Sequence, residues 1–118
     1  VAYGTSAYHH INTGSANQDS TIAKAGPCVL HGAPCWAVGN AAAVFVKLYD
    51  KATGPTSADT PVRVIILPGN GAVGSGNNYP TVATRFNNGL SYRVTGLAAD
   101  NDATGVAAGE VGVELDFA

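Results

Sequence analysis

Period-two alternation of apolar and polar side chains is the dominant pattern from Val44 onward. In Val44-Phe45-Val46-Lys47-Leu48-Tyr49, the residues Val44, Val46 and Leu48 share one face and Phe45, Lys47 and Tyr49 the other, which predicts a strand with one firmly buried face. Pro61 opens Val62-Arg63-Val64-Ile65-Ile66-Leu67 and Pro68-Gly69 closes it; apolar residues on both faces predict a central strand. Leu90, Tyr92 and Val94 alternate with Ser91, Arg93 and Thr95. Val111, Val113, Leu115 and Phe117 alternate with Gly112, Glu114 and Asp116, the most regular strand of the chain. These four segments are expected to supply the core.

The first third is less regular. Tyr8 to Ile11, Thr21 to Ala25 and Cys28 to Val38 are strand candidates, the last interrupted by Gly32 and Pro34, where a bulge or bend is expected. The connections Asn12 to Ser20, Thr53 to Thr60, Gly69 to Pro80 and Ala98 to Gly109 are rich in turn residues, and Asn87-Asn88-Gly89 is a compact turn signal. Strong helix formers are nowhere grouped with a 3.6-residue period. The pattern therefore predicts an all-β chain: a small antiparallel β-sandwich, jelly-roll-like or Ig-like, of about seven strands.

At 118 residues the chain has the size of one domain. Only 12% of its residues are charged, about half the usual share of roughly 25%. The surface must consequently be built from Gly, Ala, Ser, Thr and Asn, and we expect a partner to cover part of it. Net charge is −2, and Lys24, Lys47, Lys51, Arg63, Arg85 and Arg93 are scattered, which speaks against nucleic acid, whose phosphates require clustered cations. No stretch approaches the ~20 apolar residues of a membrane-spanning helix. A chain beginning at Val1 is expected to have lost an initiator Met or a short leader.

Candidate chemistry is sparse. His9, His10 and His31 lack metal-ligand spacing, and neighbours on a strand face opposite ways, so His9 and His10 cannot chelate one ion together. No serine lies in a G-x-S-x-G elbow, and no cysteine-histidine signature is present. Asp100-Asn101-Asp102-Ala103-Thr104-Gly105 resembles the start of a calcium loop, but its twelfth position is Val111 and no helices flank it; a polar loop with Asx turns is favoured. Gly69 to Gly76 lacks the Lys-Ser/Thr ending of a phosphate loop and reads as a flexible tip. Cys28 and Cys35 enclose six residues; we read them as free thiols, a disulfide requiring a turn that Gly32 and Pro34 would have to supply. We expect no enzyme activity, no cofactor and no metal. Trp36 is expected to fill the core, whereas Tyr8 and Tyr79, in polar surroundings, are expected to be contact residues.

Val46-Lys47-Leu48-Tyr49-Asp50-Lys51-Ala52-Thr53-Gly54-Pro55-Thr56, followed by Asp59-Thr60-Pro61-Val62, is similar to a recurring segment of small structural proteins of tailed bacteriophages. Asn88-Gly89-Leu90, Ala98 to Thr104 and the final strand resemble the same group, so the likeness covers roughly residues 40 to 118. The segment around Cys28, Pro34 and Cys35 departs from that pattern. The resemblance implies a virion component, made in the host bacterial cytoplasm: a head decoration (cement) protein that clamps capsid subunits from outside, commonly as a trimer. Its partners would be the major capsid protein or other virion subunits. A tail- or fibre-associated β-domain would share the resemblance, and a carbohydrate-binding module is a third reading.

Residues 1–20 contain few large apolar side chains and read as an N-terminal arm ahead of a sandwich domain over 21–118. Two roles stay open for the arm: an intersubunit contact, or a first strand packed on its own domain. In the first, Tyr3, Tyr8 and Ile11, together with Tyr79, are the candidate contacts.

Overall fold

The structure is a computed structural model. It describes residues 6–13, 20–71, 73–79 and 83–118, the side chains of 77–79 excepted. Nine strands lie within these residues: β1 (Ser6–Ile11), β2 (Thr21–Lys24), β3 (Cys28–Ala37), β4 (Val44–Asp50), β5 (Arg63–Leu67), β6 (Ser75–Tyr79), β7 (Thr84–Phe86), β8 (Leu90–Thr95) and β9 (Val111–Phe117). Sheet I has the order β1-β9-β3, with β6 and β7 following each other along the far edge of β3; sheet II has the order β2-β8-β4-β5. Every pairing is antiparallel. Of the pairs in either sheet, only β4 and β5 are consecutive in the chain; most other connections cross from one sheet to the other. That is the order of a jelly roll rather than of the hairpin-rich immunoglobulin sandwich.

Alternation places the core where the pattern predicts. Val111, Val113, Leu115 and Phe117 of β9 face Val44, Val46 and Leu48 of β4 and Leu90, Tyr92 and Val94 of β8, all buried, with Ile65, Leu67, Leu30 and Phe86 completing the layer. Each such side chain contributes about 1.5–3 kcal/mol on burial. Asn12, buried just beyond β1, pins one end: its Nδ2 donates to the carbonyls of Val106 and Ala107, and its Oδ1 accepts from the Val111 amide at 2.9 Å.

β3 carries the expected irregularity. Leu30 pairs with Phe117 and Gly32 with Asp116, so His31 is an extra residue on β3. The bulge reverses the alternation: Cys28 and Leu30 point inward before it, Ala33, Cys35 and Ala37 after it. Trp36 consequently points out of the sandwich, a correction to its expected place in the core. β3 runs extended through both cysteines, which are buried free thiols; a ten-residue strand holds their Cα atoms ~20 Å apart, far beyond bridging distance.

Three further expectations change. β5 is the outermost strand of sheet II, not a central one: Ile65 and Leu67 are buried, but Val62, Val64 and Ile66 on the other face are 41%, 37% and 52% exposed. The connection expected over Gly69 to Pro80 contains β6, whose Ser75–Tyr79 backbone pairs with Ala33–Ala37 although its sequence shows no apolar alternation. The glycine-rich tip is also tied down, Gly39 donating to Gly71 O at 2.7 Å and Gly71 to Asn40 O at 3.0 Å. Within the 1–20 segment read as an arm, residues 6–11 form β1, a strand hydrogen-bonded to β9 of the same chain.

Candidate functional site

The two outer faces of the sandwich offer the chemistry. On sheet I, the register sets Ile11 beside Gly112, Gly112 beside Trp36 and Trp36 beside Gly76, a row across four strands. The indole lies directly on Gly112: a Cβ there would stand 2.0 Å from Trp36 Cε2. Trp36 Nε1 donates to Glu114 Oε2 at 2.9 Å, and Glu114 Oε1 lies 3.4 Å from His9 Nδ1. Trp36 and Glu114 are half-buried; His9 and Ile11 are exposed.

On sheet II the outward side chains Lys47, Tyr49, Ser91, Arg93 and Thr95 of the central strands β4 and β8 are covered, while those of the edge strand β5 stay exposed. Lys47 and Arg93 are register partners on β4 and β8, both with no exposed surface. Two cations directly opposite each other repel, and main-chain carbonyls of two overlying loops neutralise the geometry. Lys47 Nζ donates to Ala99 O; Arg93 donates to the carbonyls of Thr56, Asp100 and Asp102 and to Tyr49 Oη. Burial lowers the Lys47 pKa, as does the neighbouring Arg93 charge, against the pull of Asp102 and Asp100. Burial also pushes the Tyr49 phenol up, offset in part by Arg93.

The covering loop is itself braced by Asp102, whose carboxylate accepts from the Leu97 and Thr104 amides and, at 2.8 Å, from the Thr104 hydroxyl. Burial raises this carboxyl, but those hydrogen bonds and the Lys47 charge outweigh it and hold the pKa below the usual carboxylate value. Asp102 therefore works as the turn-former expected of a polar Asx loop. Among the described residues no three His, Cys, Asp or Glu side chains gather as a metal-binding group. A cleft of about 160 Å³ between Asn40–Val44 and Gly105–Ala107 is smaller than the ~300 Å³ at which small-molecule sites begin.

Of the four candidate contact residues, Tyr8 and Ile11 lie on opposite faces of β1. Tyr8 faces inward, its hydroxyl 2.9 Å from that of Tyr92 and its ring edge-on to Tyr92 at 5.9 Å; this contact ties β1 of sheet I to β8 of sheet II. Ile11 points outward, 44% exposed, at the end of the Trp36 row. Tyr79 closes β6, its side chain outside the described residues, and Tyr3 lies outside them altogether. The grouping that sequence reading missed is Trp36, Glu114 and His9. Its signal was present in Gly112, a glycine at an outward position of an otherwise regular strand, where close approach of another group is the usual reason.

No helix among the described residues is long and apolar enough to cross a membrane. The chain matches no protein-family model, and no curated protein or solved structure is significantly similar to it.

Proposed function

We propose that the protein is a virion structural component, a decoration protein that binds the outside of an assembled phage head and stabilises it, as its resemblance to small phage structural proteins implies. The observation that carries this reading is the row of Val64 and Ile66 on the last strand of sheet II with Val62 just before it, each more than a third exposed. Outward apolar positions on an edge strand are a liability that isolated proteins blunt with charge, and a partner surface that covers them removes it. The small, weakly charged surface supports the same reading, and the jelly-roll order supports it by analogy, since viral capsid domains use that architecture. A subunit that binds only the assembled shell stabilises it by mass action, and trimeric attachment multiplies weak contacts.

The test is cosedimentation with expanded, undecorated heads of the phage that encodes the chain. We expect saturable binding, a higher melting temperature of the heads, and loss of both in the double variant Val64→Asp, Ile66→Asp. A protein that stays in the supernatant, or labels tails or fibres on intact virions, overturns the reading.

A further inference from the structure

We propose that the outer face of sheet I binds a neutral sugar ring, stacked on the Trp36 indole and hydrogen-bonded to the Glu114 carboxylate. The site is separate from the β5 row and does not rest on attachment to a phage head.

Four observations meet at this place. The β3 bulge turns the chain's single tryptophan away from a core that it would otherwise join, leaving a large apolar ring half-buried on an open face. Both register partners of Trp36 are glycines, Gly112 on β9 and Gly76 on β6, although glycine in a strand interior weakens the strand. At Gly112 the absent side chain is what lets the indole lie down on the sheet. At Gly76 the glycine is exposed and places no side chain beside the ring. The ring is held in place by its hydrogen bond to Glu114 Oε2, so little freedom remains to be lost when a ligand arrives.

This arrangement matches the two-sided chemistry of a pyranose. One face of such a ring presents C–H groups, which pack on an aromatic surface. Its edge presents hydroxyls, for which an ionised carboxylate is a strong acceptor. Glu114 uses one lone pair on Oε2 for the indole, faces His9 with Oε1, and is 38% exposed, leaving acceptor capacity toward solvent. The row Ile11, Gly112, Trp36, Gly76 carries no charge, which suits a neutral rather than an anionic sugar.

Because Trp36 is the only tryptophan, emission excited at its absorption edge reports this site alone. The probes are soluble gluco-, manno-, galacto- and N-acetylglucosamine tetrasaccharides, titrated into the full chain to about 10 mM, ten times the roughly millimolar dissociation constant of a weak single site. We expect a saturable change in Trp36 emission with at least one of them. Calorimetry should then show binding lost in Trp36→Ala and weakened about ten-fold in Glu114→Gln, equivalent to about 1.4 kcal/mol, with both variants melting cooperatively. Silence with all four sugars overturns the proposal, as does binding that survives Trp36→Ala. A fully retained affinity in Glu114→Gln overturns the part assigned to the carboxylate.

Discussion

On the outer face of sheet II, Lys47, Tyr49, Ser91, Arg93 and Thr95 are all buried, whereas on the outer face of sheet I His9, Ile11 and Pro34 are exposed and Trp36 and Glu114 half so. Both faces are written in the same alternating code. The difference lies in the connections: the segments between β4 and β5 and between β8 and β9 fold back over sheet II and bring Thr56, Ala99, Asp100 and Asp102 carbonyls onto its cations. Strand alternation decides which side chains leave the core; loop geometry decides what they meet. The covered face is held by hydrogen bonds to charge, while the open face keeps its aromatic ring and carboxylate available.

The largest test of this contrast is Arg93→Ala, which orphans the carbonyls of both loops and leaves a void; it should cost about 3–5 kcal/mol in urea unfolding. A loss below about 1 kcal/mol would show that the loops hold themselves.

Next in size is Gly112→Ala on the open face, where the new methyl meets the indole. We expect about 1–3 kcal/mol of destabilisation, abolished in the Trp36→Ala background, so that a double-mutant cycle isolates the seat of the ring. Additive losses would mean that the indole is not seated there.

Acid should attack the covered face first. The Asp102 carboxyl is held below its unfolded value of about 3.9, so its contribution is complete above that pH and disappears as pH falls through the folded value. Asp50 behaves alike: burial raises its carboxyl, but the amides of Asn88, Asn87 and Gly89 together outweigh burial and lower it. Melting temperature should therefore fall below about pH 4, less steeply in Asp102→Asn, with the Leu97 and Thr104 amides gaining hydrogen exchange before those of β9.

The smallest effect belongs to β5, where Val64→Asp should change stability by no more than about 0.5 kcal/mol. Its neighbour Ile65→Asp buries an unpaired charge and should prevent folding. Equal damage from both would return β5 to the interior of its sheet.

The same contrast explains what could be read in advance. β9 and β4 were legible because a strand with one face in the core writes that face every second residue. β5 misled because Val62, Val64 and Ile66 are apolar yet face outward, and sequence does not distinguish an apolar face turned to the core from one turned to solvent. β6 was invisible because Ser75-Gly76-Asn77-Asn78-Tyr79 carries no apolar alternation, and it is its main-chain pairing to β3 that makes it a strand. Trp36 was assigned to the wrong side even though a bulge was expected nearby, since one extra residue, His31, inverts every position that follows it. The burial of Lys47 and Arg93 had no local signal, because apart from the Tyr49 hydroxyl the groups that accept from them are carbonyls of Thr56, Ala99, Asp100 and Asp102 in distant loops.

The inward-facing thiols of β3 have a consequence for kinetics. Burial pushes the Cys35 pKa up to about 11, and burial raises Cys28 as well, so neither is a ready thiolate while the sandwich is closed. Their alkylation then measures opening rather than chemistry: the modification rate counts how often β3 parts from its neighbours, one clock near each end of the strand. Faster labelling of Cys28 than of Cys35 would mean that the β7 end of sheet I frays before the β6 end, giving a direction to unfolding that a melting temperature does not carry.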